Sequence, residues 1–412
     1  MSKNQFLIVG ANFINKGAEA MLKTIQLQIR QRNPDAEIYA ICHPQEREIA
    51  KRQGIHPITD QTPPLQKKIK TFTGKVKNKL GQMAGNAPIP YADFSPMEEI
   101  IQLKNLKMAV DVSGFAYGDK RGYLQPLETQ KVIDYCKKLG AKYIFMPQAW
   151  GSFKEAQVAV NCKKMIESGD AYFTRDEVSR KFVADLLGQP VEQIPLLPDI
   201  AFHFPIPEID GAVILKKHGY TSNSNREKVC LSPNMRIYER MDGTGTSNAY
   251  VTTFIDIIYY LRDSYDIVLI PNEIMPDPSA GRDDQFLCKL IFEALDRKEH
   301  VTCISGYYSA EEIKSVIREC DFVIASRFHS LVFALSLGIP SMAISWSHKY
   351  RELFRLFALD EFVLEDKGIL IGQITNTFEK LVKERGEVTN KINTVLPQLK
   401  AANAHVFELL KA

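Results

Sequence analysis

Short β-branched runs alternate with amphipathic segments along almost the whole of this chain, and that alternation constrains the fold more than any other feature. Parallel strands give this pattern, because each buried strand needs a crossover helix to return the chain to the same edge of the sheet. Strands are predicted at residues 6–10, 36–42, 107–112, 143–148 and 171–174, and again at 228–233, 266–271, 301–304, 321–325 and 341–345. Between the first two, Met21, Leu22, Ile25 and Ile29 recur at helical spacing within residues 18–30. Further helices are predicted near 247–263, 283–296, 309–319 and 329–337. Ser309 with Glu312 three residues on is a capping box that fixes the start of one of them.

At 412 residues the chain exceeds one ordinary core, so two domains are expected. Pro195, Pro198, Pro205 and Pro207 interrupt the alternation and set the boundary. The expected division is an α/β domain over 1–205, a second over 206–380, and terminal helices over 381–412 that pack back. A net charge of +3 is too small for general binding of nucleic acid, so any basic site is local. The opening residues lack the pattern of a signal peptide, and no run is long and apolar enough to cross a bilayer. Seven cysteines without a C-x-x-C pair, including Cys230, Cys288, Cys303 and Cys320 inside apolar runs, read as buried thiols of a reducing compartment. A cytoplasmic protein is expected.

Residues 61–91 form a basic insertion with no Asp or Glu. Lys67, Lys68, Lys70, Lys75, Lys77 and Lys79 flank a stripe of Leu65, Ile69, Phe72, Val76 and Leu80. A core-facing helix is the simpler reading, and peripheral contact with an anionic membrane face is the alternative.

The stretch from Asp321 to Pro340 carries the most chemistry. A buried strand is expected to end near Ser326 and a helix to begin near His329, with Gly338 and Pro340 ending that helix. Arg327, His329 and Ser330 then sit at the carboxyl end of a parallel strand, the edge where open α/β sheets bind ligands. Free N–H groups at the helix start favour an anion there. Arginine adds a fork matched to phosphate or carboxylate, and histidine titrates near neutrality. By the same rule Arg236, Lys349 and His348 follow strands of the second half, while Asp111, Asn15 and Glu19 follow strands of the first. A surface ion pair for Arg236, a turn for Asp111 and helix capping for Asn15 and Glu19 are the plainer alternatives. No spacing reads as a metal site, and the G-x-G-x-x-G pattern of dinucleotide binding is missing after the first strand.

These residues, taken with several separated passages, resemble the polysaccharide pyruvyl transferase family. The passages are Asn15-Lys-Gly-Ala-Glu-Ala20, Asp111-Val-Ser-Gly-Phe115, Met146-Pro-Gln148, Thr174-Arg-Asp-Glu-Val-Ser179, Pro198-Asp199, and Ser326-Arg-Phe-His-Ser330 through Gly338-Ile-Pro340 to Lys349. Their order and spacing cover roughly residues 6–350. Two passages depart from the family pattern: Ala18 stands where an aspartate is common, and Ser113-Gly-Phe-Ala-Tyr117 replaces a glycine-rich turn.

The resemblance implies two Rossmann-like domains facing across a cleft, as in GT-B glycosyltransferases. It implies transfer of a pyruvyl group from phosphoenolpyruvate to a sugar hydroxyl pair as a ketal, on a saccharide acceptor that is free or lipid-linked. Phosphoenolpyruvate is then the donor substrate and no other cofactor is expected. In that reaction a proton reaches the enol methylene, a hydroxyl attacks and phosphate leaves. His329 is the expected acid, with His348 its rival, and Asp111 the expected base. Arg327, Arg236, Lys349 and Ser330 are expected to bind the donor, with Asn15 and Glu19 reaching in from the first loop. A nucleotide-sugar glycosyltransferase and a non-catalytic glycan-binding relative are the competing readings.

Overall fold

In the computed structural model, residues 3–59, 96–221, 226–277, 279, 282–366 and 370–412 are described. The lysine-rich insertion lies outside them. Among the described residues, twelve strands fall into two parallel sheets of six. The first contains β1 (Gln5–Val9), β2 (Glu37–Cys42), β3 (His56–Thr59), β4 (Leu106–Asp111), β5 (Lys142–Gln148) and β6 (Ala171–Thr174), in the order β3-β2-β1-β4-β5-β6. The second contains β7 (Lys228–Ser232), β8 (Asp266–Leu269), β9 (Val301–Cys303), β10 (Phe322–Ala325), β11 (Ser341–Ser345) and β12 (Val363–Glu365), in the order β12-β11-β10-β7-β8-β9. Each is a doubly wound sheet whose strand order reverses in the middle, between β1 and β4 and between β7 and β10. All ten predicted strands are present.

The two strands that sequence reading missed are the outermost on their flanks. β3 is four residues long and contains Pro57, and β12 is three residues ending in Glu365. Edge strands need neither length nor a continuous apolar run, so their signal is weak.

Why the helices form where they do is legible locally. The helix Lys16–Arg32 buries Met21, Leu22, Ile25 and Ile29 and is capped by Asn15, whose side chain accepts from the N–H groups of Gly17 and Ala18. Ser309 and Glu312 make the expected reciprocal cap. The helix Phe328–Ser336 stops at Gly338, which takes the left-handed conformation (φ +77°) open to glycine. No helix among the described residues is long and apolar enough to cross a membrane.

The two sheets are joined by more than a linker. One apolar cluster runs from Phe6 and Ile25 in the first half to Ile317 and Phe333 in the second. Lys23 pairs with Glu19 on its own helix and with Glu311 of the opposite half. The main chains also meet: Lys16 N–H donates to Asn272 O, and Ile274 N–H to Ile14 O. At the chain end, Arg32 pairs with Glu408, and the Asn33 amide donates to Leu410 O.

Candidate active site

Loops at the carboxyl ends of both sheets line a cleft of about 860 Å³. From the first half come Asn15 after β1, Ser113 and Phe115 after β4, and Arg175 after β6, with Lys120 and Arg121 beyond them. The second half supplies Asn234, Arg236 and Arg240 after β7, Glu273 after β8, Arg327 and His329 after β10, and Trp346 and Lys349 after β11. Seven lysines and arginines therefore face two carboxylates, Glu239 and Glu273, on a chain whose whole surplus is +3. Like charges held together this way repel one another, and an anionic ligand relieves the repulsion.

Arg327 caps the helix Phe328–Ser336, and no side chain caps that helix start. The guanidinium is nearly buried and is held by Glu273 at 2.8 Å and Asp284 at 2.5 Å. Asp284 is buried and also accepts from the N–H groups of Met235, Asn272 and Glu273, so the carboxylate is a fixed post. The second carboxylate oxygen of Glu273 takes Arg236 at 3.2 Å, which makes Glu273 a bridge between two arginines at the cleft edge. Among the described residues, Arg327 Nε has no hydrogen-bond partner although buried. Ser326 O, the last carbonyl before Arg327, accepts from Tyr350 (2.6 Å) and Asn234 (2.8 Å), which fixes the strand end.

His329 lies over the opposite half. A Cβ built on Gly17 would come within 1.9 Å of its ring, so the imidazole sits directly against the Gly17 backbone. Its Nε2 is 3.7 Å from Asp199 Oδ2, beyond hydrogen-bond reach, and is a buried nitrogen without a partner among the described residues. Asp199 itself pairs with Arg175 at 2.6 Å. Burial lowers the His329 pKa below its ordinary value; Asp199 pulls the other way, and Arg175 and Lys349 add to the lowering. The imidazole is thus held in its neutral form at neutral pH. Asp199 is affected oppositely: burial pushes it up, but Arg175 and then His329 hold it well below the usual carboxylate range.

Lys349 is half-buried in the first turn of the helix His348–Arg355. Its ammonium packs against Trp346 (4.8 Å), Phe328 (5.2 Å) and Tyr350 (5.5 Å) ring centroids. Burial, then Arg175, Arg327 and Arg121, bring its pKa down to about 7.

Of the residues expected from sequence, Arg327, His329, Arg236, Lys349 and Asn15 meet at this cleft. Four do not. Asp111 is fully buried and turned into the first half, where Ser113, Tyr117 and Tyr143 donate to its carboxylate, so it cannot reach an acceptor hydroxyl. Glu19 is buried between Lys16 and Lys23. Ser330 is buried against Ser232 and Asn272 behind the helix start. His348 is exposed beside Asp176, at 3.9 Å, outside the cleft lining. Conversely, Arg175, Asp199, Arg121, Arg240 and Glu273 were not singled out as site residues. Arg175 and Asp199 belong to the stretches Thr174-Arg-Asp-Glu-Val-Ser179 and Pro198-Asp199, and β6 ending at Thr174 was the available signal.

Two doubly wound sheets opening their carboxyl edges onto one cation-lined cleft define a two-domain α/β fold of the GT-B kind. Residues 15–348 match the family model of polysaccharide pyruvyl transferase, and the chain belongs to that family. Among curated proteins, the amylovoran biosynthesis protein AmsJ of Erwinia amylovora is 20% identical over 407 residues, 96% of each chain. Among solved structures, Anabaena Alr3699/HepE in complex with UDP and glucose superposes with a TM-score of 0.56 at 10% identity, covering 99% of both chains. A putative UDP-N-acetylglucosamine 2-epimerase from Listeria monocytogenes gives 0.56 at 11% identity, covering 95% of this chain and 91% of the other. These two likenesses are of fold.

Proposed function

We propose that this enzyme transfers the pyruvyl group of phosphoenolpyruvate to a pair of sugar hydroxyls, forming a ketal on a polysaccharide or its precursor. The observation that carries this reading is the convergence, from both halves, of Arg175, Arg327 and Lys349 on the cleft that also holds His329, whose Nε2 has no hydrogen-bond partner among the described residues. A small trianion bearing phosphate and carboxylate suits that density of charge. The uncapped helix start beside Arg327 adds N–H donors for its phosphate.

The neutral state of His329 favours a different role from the acid expected on sequence grounds. An unprotonated imidazole accepts a proton, so His329 takes the part that the buried Asp111 cannot play, as base toward the acceptor hydroxyl. Asp199 at 3.7 Å then stabilises the imidazolium that results. The saccharide enters from the rim bounded by Phe115, Arg121 and Arg240. Buried, unpaired thiols suit a reaction in the cytoplasm.

The test is to supply phosphoenolpyruvate, candidate glycans and, separately, nucleotide sugars to the purified protein. Phosphate release that needs both phosphoenolpyruvate and glycan supports the reading. Release of nucleoside diphosphate from a nucleotide sugar instead would make the enzyme a glycosyltransferase.

A further inference from the structure

We infer that Lys349 is the proton donor of the reaction, delivering its ammonium proton to the methylene carbon of the enol. This rests on the pyruvyl-transfer reading and goes beyond it by assigning the acid.

Elimination among the cleft groups points to this residue. The five arginines at the cleft keep their protons at any working pH and serve as fixed charges. Tyr350 uses its hydroxyl to hold Ser326 O, and burial pushes its ionisation far upward. His329, its pKa lowered by burial, stands unprotonated near neutrality. Lys120 and His43 line the cleft from exposed positions, where water competes for any proton they carry. Lys349 differs from all of these. Three aromatic faces enclose its ammonium, and it has no carboxylate partner among the described residues to stop the proton from leaving.

The charges around Lys349 come from several elements. Arg175, Arg327 and Arg121 oppose its protonation, and Asp199 alone among the principal influences favours it. His329 feels it from the neighbouring helix and His348 from its own, while Asp176 and Glu352 line the pocket behind it. With a pKa of about 7 the lysine is half charged near neutrality. A trianion arriving among these cations reverses the balance and draws a proton onto the amine from solvent.

Proton transfer then forms the C–H bond at the methylene carbon and leaves a cationic carbon bearing the phosphate oxygen. The first acceptor hydroxyl bonds to that carbon and gives its proton to His329. The bond from carbon to the phosphate oxygen breaks, and phosphate departs with the electron pair. The second hydroxyl bonds to the same carbon, and its proton goes to the phosphate. Lys349 ends neutral and His329 charged, and both return to their starting states through solvent once the products leave.

Titration calorimetry of phosphoenolpyruvate into the intact protein, in buffers of different ionisation enthalpy, counts protons taken up on binding. We expect uptake of about one proton through Lys349 at pH 8 and much less at pH 6. The pH 8 uptake should persist in His329→Ala and vanish in Lys349→Arg, which binds the donor with its charge permanently in place. Lys349→Arg should nevertheless lose about 100-fold or more in kcat, because a guanidinium cannot act as the acid. Lys349→Met should lose donor affinity as well as turnover. Wild-type-like turnover in Lys349→Arg, or unchanged uptake at pH 8 in that variant, would overturn the assignment while leaving pyruvyl transfer intact. Failure of the wild-type protein to bind phosphoenolpyruvate would sink both.

Discussion

The imidazole of His329, in the second half of the chain, rests on the backbone of Gly17 in the first, so closely that a Cβ at Gly17 would lie 1.9 Å from the ring. The starts of two helices, one following a strand of each sheet, are thereby held in contact. Substituting Gly17→Ala must move the ring or part the halves. A shift of about 1 Å at a reacting group costs on the order of 100-fold in rate, and we expect that loss in kcat/KM with the helix itself retained. Steady-state kinetics beside circular dichroism checks this, and full activity in the alanine variant would show that the contact has no bearing on chemistry.

Arg175 and Asp199 form a buried pair at 2.6 Å, so removing one partner leaves the other charge uncompensated. Asp199→Ala is expected to cost about 3–5 kcal/mol in urea denaturation at pH 7. Asp199 titrates lower in the fold than in the unfolded chain, where its pKa is about 3.9. Its contribution is therefore present above about pH 4 and is lost only as pH falls through the lower, folded value. The gap between wild type and variant should close in strong acid, and a gap independent of pH would contradict the pairing.

Burial lowers both His329 and Lys349, the latter to about 7. With His329 as base and Lys349 as acid, kcat/KM should fall on the acid side only at a pH below the ordinary histidine value, because burial lowers His329. On the alkaline side the fall should begin near pH 7, far below an ordinary lysine. The Lys349→Arg variant should lose the alkaline limb in its residual activity. An alkaline limb that stays in place would assign it to another group.

Asp111 accepts from Ser113, Tyr117 and Tyr143 and faces away from the cleft. Asp111→Asn should therefore destabilise the first half by about 1–3 kcal/mol while the folded fraction turns over normally. Thermal melts and initial rates separate the two effects. Loss of turnover in a fully folded variant would restore this aspartate to the chemistry.

Both sheets were legible in the sequence because eight of their twelve strands are inner strands, whose continuous apolar runs no helix face can imitate. β3 and β12, short and on the flanks, left no such signal. The centre on Arg327 and His329 was readable because a buried strand, the polar residues Ser326, Arg327, His329 and Ser330, and a helix stop follow one another within twenty residues. Asp111 shows the limit of that rule. The carboxyl end of a strand fixes where a residue stands, whereas alternation along the strand decides which face its side chain takes. Asp111 took the face of Tyr117 and Tyr143. Arg175 and Asp199 were obscured for another reason: their meaning depends on pairing across 24 residues and on contact with His329 of the other half.

The central claim is that a phosphate-bearing and carboxylate-bearing donor occupies the cleft between Arg175, Arg327 and Lys349. A crystal structure of the protein grown with phosphoenolpyruvate measures this directly. We expect donor density there, with its oxygens within about 3 Å of those three side chains and its methylene carbon turned toward Lys349 Nζ. Density for the donor at any other surface, or a cleft that stays empty at saturating donor, would contradict it.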